Sequence, residues 1–407
     1  MNIFEDFLSK SQIFKNRDVL RHSYTPDHLP HREEQIRQLA MLLSPALRGE
    51  IPSNIFVYGK TGTGKTATVK LVGKQLEEMS ERLKANVYVH YINCEIVDTA
   101  YRVFASIARR FGRSVPLTGW PTDQVYDEVK RAIDQKSIVL IVILDEIDKL
   151  AKKGEEALYS LTRINSELEK SKVSIIGISN NLNFKDFLDA RIISSLSEEE
   201  VVFPPYNAEQ LVDILKQRAI LAFNDGVLED GVIELCAALA AQEHGDARKA
   251  LDLLRVSAEI AEREKDSVVR IEHVKKAVEK IEHDHISEVI RTLPIHSKIL
   301  LYGIALFPEK KFTTGEIYTI YKKLCAKIGI DALTQRRISD LISELDMLGI
   351  INSIVISKGR YGRTREIKID TNADMIKKIL EEDYRLESLK RFEKELKNLV
   401  SLETFES

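Results

Sequence analysis

The sequence predicts an α/β fold with a five-stranded parallel sheet, followed by an α-helical lid and a C-terminal winged helix. Three observations predict it. Short apolar segments alternate with helical ones up to Pro204-Pro205; the chain from Asn207 to about Ile290 is helical; the last third reads as three helices and a hairpin. The expected domains are 1–205, 206–290 and 291–395.

Asn54–Tyr58, Val87–Asn93, Ile138–Leu144, Val173–Ser179 and Val201–Phe203 are the strand candidates. The third has no polar alternation, as a central strand covered by helices on both faces requires. Residues 1–28 read as an arm against the first domain. In the helical region Leu211, Ile214 and Leu215, then Ile233, Leu235 and Leu239, recur at helical spacing, and Gly226, Gly231 and Gly245 punctuate it. After Pro294, helices are expected near 295–306, 314–328 and 334–348, then a hairpin of Ile350–Ile356 and Arg365–Ile369, with charged helix from Met375.

The bulk numbers narrow the function classes. At 407 residues the chain exceeds one hydrophobic core. Its longest apolar run, Ile138–Leu144, falls far short of the roughly 20 residues that cross a bilayer. With no apolar secretion signal at MNIFEDFLSK, a cytoplasmic protein without membrane contact is expected. Cys94, Cys236 and Cys325 form no C-x-x-C pair, which argues against zinc and disulfides. The net charge of −3 means that any nucleic-acid contact must come from a local basic patch.

Gly59-Lys60-Thr61-Gly62-Thr63-Gly64-Lys65-Thr66 fits G-x-x-x-x-G-K-[ST], preceded by a strand and followed by a helix over 66–79. Glycines let backbone amides wrap a phosphate at a helix N-terminus. Lys65 is suited to neutralise the β- and γ-phosphates, and Thr66 to give its hydroxyl to Mg²⁺. About 80 residues on, Asp145 and Glu146 follow seven apolar residues at a strand tip, the edge where parallel sheets bind ligands. An acid there needs a counter-charge, so Asp145 is assigned to the metal and Glu146 to polarising the attacking water. Asp148 is expected at the surface, starting the next helix. Asn180, at the end of the fourth strand, is the candidate for orienting water.

Thr334–Leu348 carries a one-sided apolar stripe of Ile338, Leu341, Ile342, Leu345 and Leu348. Its first turn, Thr334, Gln335, Arg336 and Arg337, faces away from the stripe, where a recognition helix meets bases; Thr334 also suits an N-cap. The hairpin tip from Ser357 to Arg365 holds Lys358, Arg360, Arg363 and Arg365 with Tyr361 and no acid, as a wing along phosphates would.

With these segments in place, the chain resembles the AAA+ ATPases, and more narrowly the archaeal origin-recognition/cell-division-cycle replication initiators, over about 10–390. The matching segments are Tyr24–Glu34 (YTPDHLPHREE), GKTGTGKT, LDEIDKL, GISNN, LSEEEVVFPPY and HGDARKALDLL. The resemblance implies an α/β P-loop NTPase (AAA+) fold, ATP/ADP and Mg²⁺ as cofactors, and tightly held ADP. It places Leu29, Pro30 and Arg32 at the adenine, Tyr206 near the nucleoside, and Arg218 within reach of the nucleotide. Arg248 becomes the second sensor, bringing a forked, permanent charge to the phosphates. Arg191 stands open between an arginine finger and a structural ion-pair partner. The resemblance also implies a helical DNA contact within the ATPase domain. Residues 100–122, with Arg109, Arg110, Arg113 and Trp120, are the candidate, set against an exposed helix end.

The expected function is an ATP-regulated replication initiator, a weak ATPase used as a switch. Its expected partners are double-stranded origin DNA, the replicative helicase, and other initiator copies or paralogues. Competing readings are a P-loop transcription regulator and a clamp-loader-like ATPase.

Overall fold

The computed structural model describes residues 12–116, 118–181, 188–196, 199–357, 363–370 and 372–389. The chain divides into two compact units, Met1–Ala277 and Val278–Ser407. The division falls inside one helix, Ile271–Thr292.

In the first unit, β1 (Ile55–Tyr58), β2 (Val87–Asn93), β3 (Val139–Asp145), β4 (Lys172–Ser179) and β5 (Glu199–Val202) form one parallel sheet in the order β2-β3-β4-β1-β5. Each overlaps its expected segment. Every residue of β3 is buried. Helices α1 (Glu33–Leu43) and α2 (Lys65–Leu83) are joined by α3 (Ala100–Arg110), α4 (Thr122–Asp134) and α5 (Ile147–Arg163) in covering the sheet. A short helix, α6 (Ala190–Leu196), follows β4.

Register places the site. Asn93 pairs with Asp145, Asp145 with Ile178, and Tyr58 with Ser179. The ends of β1, β3 and β4 therefore lie abreast, and the loops leaving them converge. Side chains close the two sheet edges against further strand addition. On β2, Val87 and Val89 N–H donate to Ser80 Oγ and Glu77 Oε1 of α2; on β5, the Glu200 and Val202 carbonyls accept from Gln38 and Gln35 of α1.

The lid comprises α7 (Ala208–Ala222), α8 (Val232–Gln242) and α9 (Ala247–Arg263). A capping box of Asn207 and Gln210 starts α7, and the Asp246 carboxylate caps α9 by accepting from the Arg248 and Lys249 N–H groups. The N-terminal arm packs on this lid as well as on the sheet domain. Phe14 bridges to Phe223, His22 pairs with Asp252 of α9 at 2.7 Å, and His31 pairs with Asp213 of α7 at 2.9 Å.

The second unit takes up the end of α10 (Ile271–Thr292), then α11 (Ile295–Ala305), β6 (Phe312–Thr313), α12 (Thr314–Ile328) and α13 (Gln335–Met347). The hairpin β7 (Ile351–Ser357) and β8 (Arg363–Ile369) and helix α14 (Ala373–Glu381) complete it. β8 is central in an antiparallel order β6-β8-β7, the small sheet of a winged helix. Its core joins Leu301, Tyr321, Ile338, Ile342 and Ile367. Lys298 and Asp383 make a buried ion pair at 2.8 Å, which ties α11 to the turn after α14. The three cysteines are free and buried, and no described helix is long and apolar enough to cross a membrane.

Ile141 sits at zero exposure in the middle of β3. Ile141→Ala should lower the unfolding free energy of the first unit by about 2–5 kcal/mol, the range for emptying such a position. Chemical denaturation with an unmoved midpoint would contradict that packing.

Candidate functional site

The loop after β1 turns through Gly62 and Gly64 in left-handed conformations and runs into α2, whose first N–H groups face a cleft. The cleft is lined by the loop, by the arm from Arg21 to Pro26 and by lid residues up to Leu251. Gly62, Thr63, Gly64, Lys65 and Thr66 line it. Gly59, Lys60 and Thr61 stand behind that wall; the Gly59 and Lys60 carbonyls accept from Lys65 Nζ at 2.8 and 2.7 Å. Burial, and then the nearby Arg248 charge, pull the Lys65 ammonium down to about 8, while Asp145, Glu146 and Asp246 oppose the shift. Two cations and three carboxylates thus meet where a phosphate chain would lie.

Thr66 Oγ1 donates to Asp145 Oδ2 at 2.8 Å. Two hard oxygens from segments 79 positions apart therefore touch, the donor set that suits Mg²⁺. Tyr91 OH donates to the same carboxylate oxygen at 2.8 Å. Glu146 adopts a left-handed φ of 56°, an uncommon conformation for a non-glycine residue and one found at functional turns. Its carboxyl is held above the usual range by burial and by Asp148 and Asp145. Asn180 Nδ2 donates to Glu146 Oε1 at 3.0 Å, so the proposed water-polarising and water-orienting groups meet. Asp148 is half-buried and accepts from Ser179 Oγ at 3.0 Å, which ties the tips of β3 and β4 together where a surface residue was expected.

The lid seats on this loop. Ala247 N–H donates to the Gly62 carbonyl at 3.2 Å, and a Cβ at Gly62 would stand 1.7 Å from the Asp246 carboxylate. Gly245, at φ 68°, passes so close to Tyr206 that a Cβ would meet its carbonyl at 2.1 Å. This approach carries Arg248 to the cleft wall. Leu29, Pro30, Tyr206 and Arg218 also line the cleft. Arg218 is buried, with its guanidinium 4.6 Å from the Tyr24 ring centroid.

Arg32 departs from the expected adenine edge. It is 2% exposed, does not line the cleft, and donates to the Thr63, His31 and Pro204 carbonyls at 2.7–2.9 Å. Its guanidinium lies 3.7 Å from the Tyr206 ring centroid. A rigid fork of donors suits backbone carbonyls as well as it suits phosphates, and here it fastens the phosphate loop to the end of the sheet. The sequence reading also missed Arg21–Pro26, Lys70 and Tyr91. The first two groups line the cleft. The signal for Tyr91 was its place near the end of the strand beside β3.

Arg191 makes a two-point pair with Asp189 at 2.8 and 3.0 Å. Residues 100–122 do not stand out as a free helix: Val103, Phe104 and Ile107 are core, Arg109 donates to Val115 and Pro116 carbonyls, and Arg113 donates to Gln135. Glu264, Asp266 and His273 group as metal ligands do. His273 Nδ1 accepts from the Arg270 N–H, so the ring proton of the neutral imidazole lies on Nε2, facing the carboxylates, and no lone pair is left there for a metal.

In the second unit, Gln335, Arg336 and Arg337 are exposed at the start of α13, while Ile338, Leu341, Ile342 and Leu345 are buried. Thr334 Oγ1 caps the helix by accepting from the Arg337 N–H. Leu348, expected on the apolar stripe, is 47% exposed. Arg365, expected on the wing, donates to the Ser339 carbonyl and Ser343 Oγ at 3.3 and 2.5 Å and so braces α13. Lys358, Arg360, Tyr361 and the Arg363 side chain lie outside the described residues.

Residues 28–176 match the AAA ATPase domain, 212–279 the Cdc6 AAA+ ATPase-type lid domain, and 288–379 the CDC6 C-terminal winged helix domain. The chain is 73% identical to the ORC1-type DNA replication protein 1 of Archaeoglobus fulgidus across 100% of both chains. It is 62% identical to the ORC1-type DNA replication protein of Pyrococcus furiosus, across 95% of this chain and 94% of that one. Among solved structures it is similar to the Aeropyrum pernix ORC1 protein in complex with DNA, with TM-score 0.81 and 49% identity over 93% of this chain and 100% of that one.

Lys65→Ala should abolish retention of nucleotide through purification, read by denaturing the protein and identifying what is released. Gly245→Ala strains the lid seat by on the order of 1–3 kcal/mol, so nucleotide should leave roughly 5- to 150-fold faster in a stopped-flow chase. An unchanged release rate would mean that the lid does not close on the ligand.

Proposed function

The chain belongs to the family of ORC1-type DNA replication proteins, and from that premise we propose that it is an ATP-regulated initiator. It binds double-stranded origin DNA through its winged helix and helps to recruit or load the replicative helicase, alongside other copies or paralogues. Its place of action is the cytoplasm. The observation that carries the DNA reading is α13, which exposes Gln335, Arg336 and Arg337 while its opposite face is locked in the core. A helix held that way presents its first turn to base edges and phosphates. Thr334, and from the sequence pattern alone Lys358, Arg360, Tyr361 and Arg363 of the hairpin tip, are assigned to the same DNA-binding role. Arg365 contributes by holding the helix. That the similar Aeropyrum pernix ORC1 protein was solved in complex with DNA supports a DNA-binding role for the chain.

The nucleotide part follows from the cleft. Thr66 and Asp145 would hold Mg²⁺, which would neutralise phosphate charge when bound. Lys65 and Arg248 neutralise the phosphates, and Glu146 and Asn180 place the attacking water. Leu29, Pro30, Tyr206 and Arg218 border the nucleoside. Hydrolysis is slow, because Arg191, the arginine nearest the finger position, is paired with Asp189 of its own chain, and a lone chain receives no guanidinium from a neighbour. ATP and ADP then differ in what Lys65, Asn180 and Arg248 touch, which is the differential contact that a switch requires.

Footprinting across genomic DNA tests this reading: discrete protection at replication origins is expected, and promoter-only protection would favour a transcription regulator. With the basic turn and wing together on about 4–6 phosphates, log affinity should fall with log salt at a slope of about −4 to −5. Replacing Arg336 and Arg337 by Ala should flatten that slope; an unchanged slope would remove α13 from the interface. Steady-state ATP turnover by the isolated chain should stay slow, and fast turnover would contradict the role given to Arg191.

A further inference from the structure

We propose that Tyr91 is a positioning residue for the magnesium site, a clamp on the Asp145 carboxylate that acts from the neighbouring strand. The inference rests on the reading of Thr66 and Asp145 as the magnesium pair. Asp145 ends a strand whose other residues are all apolar, so nothing along β3 itself fixes its side chain. Three donors from elsewhere do so. Oδ2 accepts from Thr66 Oγ1 and from Tyr91 OH, each at 2.8 Å, and Oδ1 accepts from the Glu146 N–H at 3.1 Å.

Of these three, only Tyr91 is independent of the reacting parts. Thr66 is the hydroxyl that would ligate the cation, and Glu146 belongs to the turn that carries the water-polarising carboxylate. Tyr91 comes from β2, where its register partner is Ile143, two residues before Asp145. Side chains two apart on a strand share a face, and the phenol is long enough to reach the tip. Its ring is held in turn. Lys70 Nζ lies 3.8 Å from the ring centroid, and Lys70 itself lines the nucleotide cleft one helical turn beyond Thr66. A cation over the face draws electron density from the phenol and favours its O–H as a donor.

A carboxylate gripped by a donor outside the metal's own ligand set loses fewer rotamers when the metal arrives. Partners of this kind change metal affinity by about 10–100-fold when removed. Tyr91→Phe deletes the donor and keeps the ring and its Lys70 contact. The test follows a fluorescent ATP analogue bound to the full chain, first in EDTA and then through a Mg²⁺ titration, with thermal unfolding recorded alongside. For Y91F, the Mg²⁺ concentration giving half-maximal retention should rise about tenfold. Affinity in EDTA and the melting temperature should match the parent.

An unchanged Mg²⁺ half-saturation in a folded Y91F overturns the proposal, whatever happens to the melting temperature. An equal loss of affinity with and without Mg²⁺ also overturns it, since that would make Tyr91 a general support of the cleft. If the parent chain itself holds ATP without responding to Mg²⁺, it is the assignment of Thr66 and Asp145 that fails, a result separate from either outcome for Y91F.

Discussion

A carboxylate at the end of a wholly apolar strand must find partners, and Asp145 finds them across the sheet. Its hydrogen bond with Thr66 joins the tip of β3 to the first turn of α2. Parallel register makes that bond possible, because it brings the ends of β1, β3 and β4 to one edge. The phosphate loop, the acidic pair and Asn180 are therefore neighbours by topology, although they are scattered along the chain. The burial of β3 supplies the rigidity, and the site supplies the side-chain partners of the Asp145 carboxylate.

The lid uses the same loop from the other side. Glycine is favoured at Gly62 by a left-handed φ of 71°, with the Asp246 carboxylate standing where a Cβ would go, and at Gly245 by a φ of 68° and the Tyr206 backbone that fills that space. Asp246 caps α9 and abuts the phosphate loop together, so any ligand that alters the loop acts directly on a helix terminus. Arg32 completes the arrangement beneath, joining the loop, the end of β5 and the Tyr206 ring through three carbonyls and a stacked guanidinium. The arm crosses from the lid to this joint, with Phe14 on Phe223 just past α7 and His22 on α9.

Much of this was legible in the residues. β1, β3 and β4 lie on the apolar segments that announce them, because a buried strand writes itself as a continuous apolar run, whereas β5 starts two residues early, at Glu199, where pairing with β1 and not apolarity sets its extent. The helices of the second unit fall within a residue or two of their expected ends, since Thr313, Thr334 and Gly329 mark them by capping. Less visible were the features that depend on tertiary contact. β6 is two residues long and exists only because Phe312 and Thr313 pair with β8. Arg32 and Arg365 look like ligand-binding cations in sequence, yet Arg32 gives all three nitrogens, and Arg365 its Nη1, to the protein itself, and charge alone does not distinguish the two uses. Tyr91 was hidden for the opposite reason, as an aromatic in a strand usually reads as packing.

The central claim is that the grip on the nucleotide is felt by the DNA-binding unit. Its most direct measure is the affinity of the chain for an origin duplex with ADP and with a non-hydrolysable ATP analogue, paired with the affinity for each nucleotide with and without that duplex. The account predicts a change of about 5–150-fold in DNA affinity between the nucleotides, matched by the same factor in the reverse experiment. Equal DNA affinities in both nucleotide states would contradict it.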